Sequence, residues 1–103
     1  MAPQPERDVR YVMIQSPGPR WHSTKIMFEQ AGLPDHIARY RQLLSEGKLL
    51  LGGPFIDAKG GGMMLPDAGF GEKELTDFAM ADPAVKAGLL IVQVRPWMIG
   101  MRK

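Results

Sequence analysis

Hydrophobic positions along this chain fall into four short extended runs and two helical stripes. Val9-Arg10-Tyr11-Val12-Met13-Ile14-Gln15 is rich in β-branched and aromatic residues and stops at Ser16-Pro17-Gly18-Pro19, which predicts a strand over 9–15. Lys48 to Ile56 and Gly61 to Leu65 read as two further strands joined by the turn residues Asp57-Ala58-Lys59-Gly60, an antiparallel hairpin. Leu89 to Arg95 is the fourth strand, apolar on both sides across Leu89 to Val92.

The first helix is expected to begin near Pro34, a favoured first-turn residue, with Asp35 at the positive end of the helix dipole and Gly47 as its stop. Ile37, Tyr40 and Leu44 fall on one face of it, with Leu43 beside them. The second helix spans Glu72 to Ala81, with Leu75, Phe78 and Ala79 inward, before Asp82-Pro83 stops it and a short turn follows over Ala84 to Gly88. The resulting order is β-α-β-β-α-β, an α+β fold of ferredoxin-like sandwich type.

Between Ser16 and Leu33 lies a long connection carrying Trp21, His22 and Phe28, with a helical turn or two around Thr24 to Gln30. Connections of this length inside a compact domain are often lids or binding loops. Residues 1–8 are polar with two prolines and read as a flexible arm, 9–97 as one domain, and 98–103 as a C-terminal tail.

The patterning also bears on assembly. In the first strand Val9, Tyr11 and Met13 share one face and Val12 and Ile14 the other, so both faces of the sheet want cover. Two helices cover only one face of a four-stranded sheet. A second copy of the same sheet is the economical second layer, giving a homodimer, or a higher assembly built from it, with roughly 1,600 Å² or more buried in total. The apolar stretch Trp97 to Met101, read as lying beyond the last strand, is placed to reach the partner.

Composition narrows the function classes. A chain of 103 residues supports one hydrophobic core, and the absence of cysteine removes disulfides, thiolate nucleophiles and cysteine-ligated metal centres. No stretch resembles an export signal or a spanning helix, so a cytoplasmic protein without membrane insertion is expected. Net charge is +2, but the thirteen Lys and Arg are scattered among eleven acids rather than clustered, which argues against nucleic-acid binding. The two histidines lack paired metal-ligand spacing, so neither a metal nor any other cofactor is expected.

His36 sits at the start of the first helix, one residue before the apolar stripe; it is either a histidine simply satisfied at a helix end or a general base, whose neutral ring the partial positive charge of the helix end favours. Asp82 is placed either to orient that ring or simply to cap the turn that follows it; both roles suit Asp before Pro. Gly52 and Gly53 inside a strand suggest a bulge or a close backbone approach to a ligand, or equally close packing against a helix. Gly60-Gly61-Gly62 lies in a hairpin turn and has no phosphate-loop context. Trp21, His22 and Phe28 either close over a pocket or pin the loop, and the methionines 13, 27, 63, 64 and 80 serve as core filler or as an adaptable lining.

Three features together carry a family resemblance: His36 at the head of the first helix, the run Glu46-Gly47-Lys48-Leu49-Leu50-Leu51-Gly52-Gly53-Pro54, and Ala81-Asp82-Pro83-Ala84-Val85-Lys86-Ala87-Gly88-Leu89. From Val9 to about Trp97 the chain resembles the YCII-related domain, a dimeric α/β-barrel family, in a variant with an extended first loop. The resemblance implies that His36 and Asp82 form a catalytic pair in a pocket beside the sheet; beside that pair, Trp21, Phe28, Tyr40, Gly53 and Pro54 are the candidate substrate-binding residues. It further implies lyase or isomerase chemistry of the dehydrochlorinating kind on a small organic molecule, without a cofactor. The competing expectation is a non-catalytic dimer that binds a small molecule or serves as an accessory domain, and the blandest is a structural dimer with no ligand.

Overall fold

The computed structural model describes residues 8–103, so the arm expected over 1–8 lies outside the described residues except for Asp8. The elements run β1 (Val9–Pro17), a 3-10 turn (Met27–Glu29), α1 (Leu33–Ser45), β2 (Leu49–Pro54), β3 (Gly62–Pro66), α2 (Glu72–Met80), a single-turn helix α3 (Pro83–Lys86) and β4 (Leu90–Met98). The four strands form one antiparallel sheet in the order β2-β3-β1-β4. This is the ferredoxin-like arrangement, with α3 added between α2 and β4.

Local chemistry accounts for the helix ends. α1 opens with Pro34 inside its first turn and Asp35 beside it. It closes in a Schellman motif: the amide of Gly47 bonds the carbonyl of Leu44 at 3.0 Å and that of Lys48 bonds Leu43 at 3.0 Å. The motif needs a left-handed residue, and Gly47 supplies it with φ of 76°. At the end of α2, Asp82 takes extended dihedrals and its Oδ1 accepts the Ala84 amide at 2.9 Å, capping α3, whose first residue is Pro83.

Two clusters make up the core. Met13, Tyr40, Leu43, Leu49, Leu75 and Ala79 fill the space between the sheet and helices α1 and α2. Leu33, Ala84, Leu89 and Leu90 form a second cluster where the head of α1 meets α3, with Trp21, Met27, Ile37 and Val85 packed on it.

The structure corrects several expectations. α1 turns Leu33, His36, Tyr40 and Leu43 into the core, whereas Leu44 is exposed and Ile37 only half-buried. Both stripes carry apolar residues, and only docking on the sheet decides between them. In β2 the irregularity lies at Leu50, between the pairs Leu49–Pro66 and Leu51–Leu65, and not at Gly52-Gly53. That extra residue lets Leu49 enter the core while Leu50 and Leu51 turn outward. Trp97 and Met98 do not lie beyond the last strand: they pair with Arg10 and Val9 inside it, and the Ile99 amide bonds the Asp8 carbonyl at 2.8 Å.

The helices cover the sheet face that carries Tyr11, Met13, Met64, Val92 and Val94. Strand alternation puts Arg10, Val12, Ile14, Leu51, Leu65, Ile91 and Trp97 on the other face, where Leu51, Ile91 and Trp97 remain about half exposed. The Arg10 guanidinium lies buried there, bonded to the Pro66 carbonyl at 3.0 Å and to Asp8 at 2.7 Å.

Candidate functional site

The first turn of α1 and the cap of α3 meet at His36 and Asp82, which are 5 % and 1 % exposed. The ring Nδ1 of His36 is hydrogen-bonded to Asp82 Oδ2, while Oδ1 of the same carboxylate accepts the Ala84 amide. Burial pushes the Asp82 carboxyl up, but the hydrogen bonds from His36 and the Ala84 amide, with the charges of His36 and Arg39, outweigh it and hold the group below the usual value of 3.8. An ionised carboxylate only accepts, so Nδ1 is the donor and carries the proton. In the neutral ring Nε2 then holds the lone pair, and no described residue bonds it.

Asp82 makes both of the contacts weighed for it from sequence: one oxygen caps α3 and the other is hydrogen-bonded to the His36 ring. His36 lines a cavity of about 480 Å³ between α1, the helix-covered side of the sheet and the loop after β1, and Asp82 sits behind it without reaching the cavity. The expected substrate-binding residues Trp21, Phe28, Tyr40, Gly53 and Pro54 all line this cavity as well. His22 does not, and it is exposed.

Tyr40 stands one helical turn after His36, with the two ring centroids 5.0 Å apart. Its other side meets Phe78 edge-on at 5.3 Å. Burial, with the nearby Asp82 charge, pushes the phenol up to about 12 against the hydrogen bond of Gln15 and the charge of Arg39. It is protonated across the physiological range and acts at this site as a hydroxyl, in contact with Gln15 Nε2 at 3.5 Å and Met13 Sδ at 3.6 Å.

The sequence reading missed three residues of the site. Gln30, 1 % exposed, holds the long loop: its Oε1 accepts the His22 amide at 2.9 Å and its Nε2 donates to the carbonyls of His22 at 2.8 Å and Lys25 at 3.1 Å. The cavity wall formed by Trp21, Met27 and Phe28 is thus braced from within its own loop, with only a 3-10 turn at 27–29 for the helical turns expected there. Gln15 and Arg41 also line the cavity. A polar residue on the otherwise apolar inward side of β1 was the available sign of Gln15; Arg41, on a solvated helix flank, had none.

Glycines shape the β2 wall. A Cβ on Gly52 would stand 2.2 Å from the Met64 sulfur, so a side chain there requires the Met64 thioether to move aside, while a Cβ on Gly53 would meet nothing within 4 Å. The close approach weighed for the pair is a packing contact at Gly52 and open space at Gly53. Among the described residues no group of three or more His, Asp or Glu side chains is gathered for a metal ion, and no helix is long and apolar enough to cross a membrane.

No curated protein matches the chain. Residues 9–98 match the YCII-related domain, and the chain belongs to that family.

Proposed function

We propose that this protein is a cofactor-independent lyase or isomerase for a small organic molecule, with His36 as the base. The observation that supports it is the pairing of His36 Nδ1 with a buried carboxylate while the ring lines a cavity of ligand size. Nε2 takes a proton from a carbon next to a carbonyl, and the C–H electron pair moves into a new C=C bond. In elimination a leaving group such as chloride departs from the neighbouring carbon with its bonding pair; in isomerisation the carbonyl π pair moves onto oxygen as the C=C forms, and the carbonyl re-forms as a conjugated double bond takes the proton back from the imidazolium at its far carbon. Asp82 is a positioning residue that keeps Nδ1 protonated and stabilises the imidazolium as it forms.

The functional unit is a homodimer closed over the half-exposed sheet face carrying Leu51, Ile91 and Trp97, two sheets facing each other as a barrel. The apolar character of the cavity favours a second reading, a binding module in which His36 only hydrogen-bonds its ligand.

The deciding experiment incubates the protein with β-chloro carbonyl compounds and enolisable lactones, reading chloride release and deuterium uptake from heavy water. The expected result is turnover that His36→Gln abolishes while the ligand still binds. Ligands that bind without turnover would leave the binding module, and turnover indifferent to His36→Gln would remove His36 as the base.

A further inference from the structure

The cavity beside His36 has an uneven inventory of polar groups. Among its lining residues Arg41 is the one permanent cation and there is no Asp or Glu; the rest of the wall is largely aliphatic, aromatic or glycine. Arg41 forms no ion pair or side-chain hydrogen bond with any described residue. Two positions earlier on the same helix, Arg39 is committed elsewhere: one terminal nitrogen donates to the Phe78 carbonyl at 2.8 Å and the guanidinium lies 4.4 Å over the Phe78 ring, although its Nε is buried without a partner among the described residues.

At the inner wall stands Gln15, 3 % exposed, on the sheet face that otherwise packs Tyr11 and Met13. Its Nε2 makes one long contact with the Tyr40 hydroxyl at 3.5 Å, and its Oε1 is buried with no partner among the described residues. Leaving half an amide unmade in a buried site is costly, and an apolar side chain would serve packing better. The amide has a use if a ligand completes it.

We propose that the cavity takes a small apolar organic acid, whose carboxylate is held by the Arg41 guanidinium and whose body packs on Trp21, Met27 and Ile37, with Gln15 as the specificity-determining partner of a second polar atom. The inference rests on reading this cavity as the ligand site of the proposed enzyme. A guanidinium fork matches a carboxylate in shape, and Arg41, exposed at the rim of the cavity, pairs there with an acid whose apolar body is buried. With no acid in the wall an ammonium ligand has no counter-charge, and one arginine matches a monoanion.

The test is a titration of the full-length protein followed by calorimetry and by amide NMR, using benzoate, benzyl alcohol and benzylamine as probes of matched size. Benzoate is expected to bind about tenfold more tightly than benzyl alcohol, and benzylamine most weakly. Arg41→Gln is expected to bring benzoate down to the level of the alcohol and leave the alcohol unchanged. One of 3- and 4-hydroxybenzoate is expected to bind more tightly than benzoate, a difference that Gln15→Leu removes with the amide spectrum otherwise retained. Benzoate binding no better than the alcohol, or unaffected by Arg41→Gln, overturns the acid inference while leaving the ligand site standing. If none of the probes perturbs His36 or Tyr40, the inference and the ligand-site reading fall together; acid binding with no turnover of any substrate sinks only the enzyme reading.

Discussion

The ring of His36 and the carboxylate of Asp82 are joined across 46 residues of sequence, linking the first turn of α1 to the cap of α3. The two oxygens of Asp82 have separate tasks, and this makes the pair testable without a substrate.

In Asp82→Asn, keeping the cap on the Ala84 amide turns the NH₂ group toward His36, so Nδ1 must accept and Nε2 must carry the proton. Nitrogen NMR of the imidazole is expected to show Nδ1–H in the natural protein and Nε2–H in the variant. Proton-abstraction rates are expected to fall by about 10²–10⁴-fold with ligand affinity little changed. Asp82→Ala, which loses the cap as well and strands the ring, is expected to cost about 2–4 kcal/mol of stability in denaturant titrations.

Acid stability follows from the same carboxylate. Its folded value lies below the unfolded 3.8, so its contribution is complete above pH 3.8 and is lost as pH falls through the lower folded value. Unfolding free energies measured from pH 6 downward are expected to drop below about pH 4, and to drop less steeply in Asp82→Asn.

At the alkaline end Tyr40 acts in the opposite sense. Its phenol is raised from 10.0 to about 12, so the stability it contributes is present in full below pH 10 and disappears as pH rises toward 12. Tyr40→Phe is expected to flatten that part of the curve, with thermal melts between pH 9 and 12 as the measurement.

Gln30→Ala removes three hydrogen bonds from the loop after β1 without touching the sheet. Hydrogen exchange at residues 20–30 is expected to accelerate strongly, as an opening cost falls by about 1–3 kcal/mol, while exchange in β1 and β4 stays slow. Unchanged loop protection would mean that Trp21 and Met27 hold the wall without it.

The open sheet face gives the last prediction. Light scattering is expected to find a dimer for the natural protein and a monomer for Ile91→Lys combined with Trp97→Glu, since charges on the half-exposed residues of that face would oppose its burial.

Much of this molecule was legible because its signals are local. Strand alternation in Val9 to Gln15, Pro34 and Gly47 around α1, and Asp82-Pro83 after α2 each act over a few residues, so the order of elements and the family could be read from them. His36 at a helix start and Asp82 at a helix stop stood out as local signals, and the family resemblance joined them as a pair. Whether they meet, and whether Asp82 caps or orients, was settled by the docking of α1 on α3, which brings both oxygens into use. Docking on the sheet also chose the buried stripe of α1, leaving Leu44 outside and Tyr40 within. The Leu50 bulge, the extra length of β4 and the grip of Gln30 on its loop depend on partners set by pairing and backbone geometry, which composition and periodicity do not encode. Sequence by itself determined which elements form and which residues could do chemistry. The tertiary structure decided which side chains share a cavity, because that depends on how rigid elements pack and not on how far apart they lie along the chain.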